Sequence, residues 1–234
     1  MSLFLFAIAP VLSIIVYIYL QDKYEKEPFG LLIKSFLLGA FVSVFIVLAL
    51  YLITGRLIPI TDKFSVWQQF IQAFFVVALS EEFSKYIIVK YFAQPKKEFN
   101  EPYDGIIYAV MVSMGFACTE NIMYVLEGGL EVAVLRAFTA VPAHATFGVL
   151  MGYFMGKAKF SKNRLKLNLA GLLLATLFHG AYDFFLSINF IPGIYIGAFI
   201  SLIIGIILSK KAIKRHQKNS NFNNVNKNYE SYGK

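Results

Sequence analysis

Seven apolar runs, separated by short stretches rich in charged residues, proline or glycine, divide the 234-residue chain. Each is close to the ~20 residues that a helix needs to cross ~30 Å of hydrocarbon. The pattern predicts spans at about 2–20, 31–53, 66–89, 103–126, 132–156, 167–189 and 192–209. The fold class that follows is all-α, a polytopic transmembrane bundle of about seven spans forming one domain over residues 1–209. The first run has no basic region before it, and Ala7-Ile8-Ala9 comes too early for a cleavage site, so it reads as a retained span. No internal repeat with a fixed period is visible. Residues 210–234 form a basic tail that is polar and Asn-rich from Ser220 onward. Such a segment buries too little apolar surface to order itself.

Composition excludes an ordinary soluble domain: 58% of residues are hydrophobic, 15% are charged and the mean hydropathy is +0.62. The net charge of +8 does not point to nucleic acid, because the basic residues collect in particular loops. Fifteen lie in 21–30, 90–102, 157–166 and 210–224, against Arg56, Lys63 and Arg136 in the intervening segments. Cytoplasmic loops carry the excess of Lys and Arg, so the N-terminus is expected outside and the C-terminus in the cytosol, with membrane lipid as the partner of the basic face. Cys118 is the single cysteine, which excludes an intramolecular disulfide and a multi-cysteine metal site. In an apolar helix it reads as a small buried hydrophobe.

The exceptions within the apolar runs carry the chemistry. Glu81, Glu82 and Lys85 lie in the third run, Glu120 in the fourth, His144 in the fifth, and His179 with Asp183 in the sixth. An ionisable group at membrane depth costs several kcal/mol (roughly 2.5 to 3.5 on insertion scales), so it normally faces the bundle interior and marks function. Helical spacing supports that orientation. Ala140, His144, Gly148, Gly152 and Gly156 recur every four residues, as do Gly171, Ala175, His179 and Asp183, while Gly105, Ala109, Ser113, Ala117 and Asn121 form a stripe beside Glu120. Small-residue stripes are where membrane helices approach closely. Lys85 is spaced to pair with either glutamate, leaving the other carboxylate as a candidate general base. For each group the alternative is purely structural: a self-contained Glu-Lys pair, a His179–Asp183 hydrogen bond that locks packing, or a buried His144. Four helices would then each bear a desolvation penalty for packing alone.

The strings SEEFSKY at 80–86, EPYDGIIYA at 101–109, GFACTEN at 115–121, VPAHATFGVLMGY at 141–153 and HGAYDF at 179–184 resemble the PrsW-type intramembrane proteases of bacteria. The motifs read EExxK (Glu81, Glu82, Lys85), FxxxE (Phe116, Glu120) and HxxxD (His179, Asp183), with His144 in addition, and the resemblance extends to about residue 215. It implies a protease of the bacterial cell membrane that makes the site-1 cut in a single-pass anti-sigma factor, releasing an extracytoplasmic-function sigma factor under stress. The CAAX prenyl proteases are distant relatives with EExxxR, FxxxH and HxxxN. Here Glu120 replaces the histidine of their second motif, and Lys85 sits one residue closer than their arginine.

On this reading Glu81 or Glu82 activates water, and His179, oriented by Asp183, stabilises the oxyanion or protonates the leaving amine. Glu120 and His144 position the water, with Phe116 and Asn121 in support. The set Glu82, Glu120, His144 and His179 offers a divalent metal, zinc by ligand type, although no HExxH motif is present. Two other classes fit buried Glu and His chains: a proton- or cation-coupled transporter, and a non-enzymatic membrane binding or immunity protein.

Overall fold

The computed structural model describes residues 3–220. Among these the chain forms seven helical columns: α1 (Leu3–Gln21), α2 (Phe29–Leu57), α3 (66–93), α4 (Pro102–Phe138), α5 (Ala140–Lys159), α6 (Arg164–Ser187) and α7 (Ile196–Lys218). No strand occurs among the described residues. Five stretches are long and apolar enough to cross a membrane, with the α4–α5 hairpin counted as one. Column α3 is not among them, because Gln68, Gln69, Gln72, Glu81, Glu82 and Lys85 dilute its apolar content.

Local chemistry explains the helix starts. Ser65 caps α3 by accepting from the Gln68 amide at 3.3 Å. Pro102 opens α4 at the position where its missing N–H is harmless, and Glu101 and Asp104 cap each other's backbone amides. Both α2 and α3 contain wide π-helical turns, at Leu38–Ser43, Gln72–Ala78 and Val89–Ala93. Such turns often occur at functional sites, and the second lies directly before Glu81.

Helices α4 and α5 form the central antiparallel pair, packed through the predicted small residues. A side chain on Gly105 would strike the backbone of Gly152 and Gly156, and one on Gly148 would press on Ala109 and Ser113. Helix α2 meets α4 in the same way, Gly39 against Val112 and Gly115 against Phe36. Beyond that contact the end of α2 holding Val44, Val47, Leu48 and Tyr51 lines one wall of a cavity whose other walls come from α3, α4, α5 and α6.

Two expectations change. The fifth span was expected from about residue 132; instead α4 continues to Phe138 after a sharp turn at Gly129 (φ 72°, ψ −157°), and α5 begins at Ala140. The positive φ favours a residue without a Cβ, so Gly129 breaks the helix, and a second helical segment, residues 130–138, starts beyond it in a new direction. The tail was expected from 210, but α7 runs to Lys218, with Ala212, Ile213 and His216 buried and the His216 ring donating to the Tyr153 carbonyl at 2.9 Å. The disorder expected of the remaining tail falls on 221–234, outside the described residues.

Candidate active site

The widened turn of α3 delivers Glu81, Glu82 and Lys85 into the bundle, all three buried. Lys85 is 1% exposed, and its Nζ lies 2.8 Å from Glu82 Oε1, 3.7 Å from Glu81 Oε2 and 3.4 Å from His144 Nδ1. The ammonium also sits 4.3 Å above the Phe116 ring. Lys85 therefore pairs with both glutamates.

His179 reaches the same cluster from α6. Its Nδ1 is 2.9 Å from Glu82 Oε1; its Nε2 is 3.2 Å from Asp183 Oδ2 and 3.8 Å from Glu81 Oε2. Phe147 stacks on the ring at 4.7 Å and 15°. The predicted His179–Asp183 pair is present, and the same ring also bridges to Glu82 on α3. His144 from α5 stands edge-on to His179 at 5.3 Å, and its Nε2 is 2.9 Å from Glu120 Oε2. The groups proposed from four separate segments thus share one continuous polar network. Asn121 lies beside it, donating to the Ala7 carbonyl of α1 at 2.7 Å.

Glu81 differs from Glu82 in access. It lines a cavity of about 990 Å³ together with Glu120, His144, His179 and Asp183, whereas Glu82 is sealed beneath. Glu81 Oε1 accepts from the Tyr51 hydroxyl at 3.0 Å, and its buried Oε2 has no hydrogen-bond partner. The cavity rim carries exposed apolar side chains, among them Leu48, Met123, Leu126, Leu135 and Leu186.

One metal-competent group occurs among the described residues: Glu81, His144 and His179, with one donor atom from each lying within 4.8 Å of the others. Two histidines and a carboxylate form a recurrent catalytic zinc donor set. The orphaned Glu81 Oε2 and the carboxylates Glu120 and Glu82 on the rings' far nitrogens also match metal sites, where a ligating histidine gives its second nitrogen to a carboxylate. The donor set thus fits a metal through Glu81, with Glu82 and Glu120 behind the rings.

Sequence reasoning passed over two contributors. Arg136, counted with the loop cations, puts Nη2 2.6 Å from Glu120 Oε2 and Nε 2.8 Å from Asn121 Oδ1. Tyr51 came from a stretch with no other polar signal; one helical turn separates it from Thr54 and nothing in the pattern marks it.

A second polar cluster lies away from the site, where the loop after α1 meets the start of α4. Asp22, Glu27, Glu101 and Asp104 are buried there, with Tyr108 donating to Glu27 and Ser220 to Glu101. Burial raises the Asp22 carboxyl to about 7, and raises Glu27 and Glu101 as well.

The model for "PrsW family intramembrane metalloprotease" matches residues 27–208. The chain is 44% identical over 181 residues to "Protease PrsW" of Oceanobacillus iheyensis, covering 77% of this chain and 80% of that one. To "Protease PrsW" of Geobacillus kaustophilus it is 39% identical over 85% of each chain. For that of Clostridioides difficile the figures are 38%, 89% of this chain and 87% of the relative. No solved structure matches the chain significantly.

Proposed function

We propose a mechanism from the premise that this chain belongs to the PrsW family of intramembrane metalloproteases and is a membrane-embedded protease. The observation that carries the mechanism is Glu81: of the two adjacent glutamates it is the one that lines the cavity. Glu81 Oε2 accepts the proton of the water that attacks the peptide carbonyl, while Tyr51 holds Oε1. His179, kept in orientation by Glu82 and Asp183, donates from Nε2 to the developing oxyanion and then to the leaving amine. Lys85 balances the sealed Glu82, so its charge does not compete at the reacting centre. Glu120 fixes His144 through Nε2. Glu81, His144 and His179 are the residues that would hold a divalent ion; with one bound, His179 would offer Nε2 as a ligand in place of its role as proton donor, and the ion would supply a Lewis acid and lower the pKa of a bound water.

The substrate we propose is a single-pass anti-sigma factor, cut at site 1 so that an extracytoplasmic-function sigma factor is released. The apolar, exposed cavity rim supports a membrane-embedded substrate, since a transmembrane segment can approach there without leaving hydrocarbon. Seven passages with the N-terminus outside and the basic loops in the cytosol complete the reading.

The test is reconstitution of purified protein with a candidate single-pass anti-sigma factor, with and without chelator, alongside elemental analysis. Cleavage that is lost on chelation and restored by added zinc, with about one metal per chain, supports the metal-holding triad. Cleavage unchanged in Glu81→Gln refutes the role given to Glu81, and an intact substrate under every condition refutes the substrate.

A further inference from the structure

The turn at Gly129 has a result at the active site. It brings residues 130–138, a helical segment carrying exposed Leu130, Val134, Leu135 and Phe138, back over the cavity, where Leu135, Arg136 and Thr139 line the wall. Among these, Arg136 is the residue that reaches inward. Its guanidinium makes two directed hydrogen bonds, to Glu120 and Asn121, and lies 4.2 Å from the Tyr124 ring, so three groups on the preceding part of α4 fix its plane.

The chemistry of that placement follows from Glu120. A single oxygen, Glu120 Oε2, meets Arg136 Nη2 at 2.6 Å and His144 Nε2 at 2.9 Å. A guanidinium has five donors and no acceptor, so a carboxylate held against it serves as the acceptor for both partners. An ionised carboxylate has no proton to give, so the hydrogen between Glu120 and His144 belongs to Nε2. In a neutral imidazole with its proton there, Nδ1 carries the lone pair. That nitrogen lies 3.4 Å from Lys85 Nζ, on the side of the ring toward α3. The Arg136–Glu120 pair therefore selects which nitrogen of His144 presents electrons to the centre.

We propose that Arg136 is a positioning residue: through Glu120 it fixes the ring plane of His144 and, together with Lys85 at Nδ1, its tautomer, so that Nδ1 is the accepting or ligating atom. The inference rests on the assignment of the Glu81, His144 and His179 centre given above. The other use of Arg136, as a plain counter-ion for a half-buried carboxylate, predicts different behaviour. A counter-ion becomes dispensable once the carboxylate is neutralised, whereas a tautomer-setting pair does not, because a neutral amide at 120 can present either an acceptor or a donor to His144.

The experiment compares the full-length protein with Arg136→Gln, Arg136→Lys, Glu120→Gln and the double variant Arg136→Gln/Glu120→Gln. Readouts are kcat and KM for a cleaved membrane substrate, melting temperature in detergent, and zinc content after equilibration at a series of buffered free zinc concentrations. Loss of a partner behind a metal-ligating histidine lowers affinity or activity about 10- to 100-fold. We expect Arg136→Gln to lose kcat and zinc affinity by that order with KM changed less than about threefold, and Arg136→Lys to recover only part, because one ammonium cannot reproduce the two-pronged contact. The double variant should regain melting temperature but not kcat or zinc affinity. If Arg136→Gln does not accumulate in the membrane, Arg136→Lys carries the test, since it keeps the counter-charge and loses the directed bonds to Glu120 and Asn121: wild-type kcat and zinc affinity in it overturn the proposal, as does either in a folded Arg136→Gln. His179→Ala is the control for the site itself. Full cleavage by that variant would refute the centre, whereas inactive His179→Ala beside fully active Arg136→Gln refutes only the role of Arg136.

Discussion

Lys85→Met tests whether the buried network is held by charge. The substitution keeps the length of the side chain and removes the ammonium that lies between Glu82 at 2.8 Å and Glu81 at 3.7 Å. Two effects oppose each other: an ammonium no longer has to be desolvated, and two carboxylates lose their shared counter-charge. Breaking a buried pair by removing one partner costs roughly 3 to 5 kcal/mol, so the second effect dominates. Glu82 keeps His179 and Glu81 keeps Tyr51, which favours the lower half of that range. At about 2 to 4 °C per kcal/mol for a chain of this size, the melting temperature should fall by roughly 6 to 16 °C. The measurement is thermal unfolding in detergent for wild type, Lys85→Met, Glu82→Gln and the double variant, read as a cycle. Neutralising Glu82 as well removes the orphaned charge, while the amide oxygen introduced at that position can still accept from His179, so the double variant should recover more than half of the loss. A Lys85→Met protein melting within about 2 °C of wild type, or a double variant as unstable as the single one, refutes the argument.

Gly152→Ala should destabilise by about 1 to 3 kcal/mol, since its Cβ would meet the Gly105 backbone and no flexible side chain is there to yield; unfolding in detergent measures it. Asp22 gives a pH dependence away from the site. Its carboxyl is raised from 3.8 to about 7 in the folded state, so the folded protein binds the extra proton and stability is lost as pH rises from about 4 to about 7. Melting temperature should therefore fall across that window in wild type, and the slope should flatten in Asp22→Asn. For topology, single cysteines at positions 60 and 162, in a background lacking Cys118, should label from opposite sides of the membrane, the first from outside; labelling of both from one side would overturn the seven-passage reading. Asp183→Asn should reduce kcat less than His179→Ala does, because Asp183 only orients its partner; steady-state cleavage rates compare them.

The apolar periodicity carried the helical columns, because in a membrane segment every backbone group is satisfied within its own helix and length and composition dominate. The four-residue recurrence of small residues correctly turned His144, His179 and the stripe beside Glu120 toward protein, since close approach needs glycine at Gly105, Gly152 and Gly156. Two things lay beyond it. The Gly128-Gly129 pair reads as a loop between spans, and the helix does break there, yet one residue at positive φ suffices to join it to the segment 130–138 that turns back over the cavity. Arg136 reads as a loop cation because its partner stands 16 residues back, across that turn, where neither helical spacing nor charge counting looks. The division of labour between Glu81 and Glu82 is likewise tertiary: adjacent residues on a helix point about 100° apart, and which of them meets a cavity depends on the neighbouring helices.

The network around Lys85 also has a consequence for how the enzyme comes into being. Residues 81–85 emerge from the ribosome long before His179, and until then Glu82 has Lys85, three residues away, as its nearest charge partner. A growing chain that ends before α6 holds the acids and His144 but lacks the ring that bridges Glu82, Asp183 and Glu81. On the role proposed for His179, proteolytic competence arrives late in synthesis, when the sixth column docks, so a chain still being made is silent toward the membrane proteins around it.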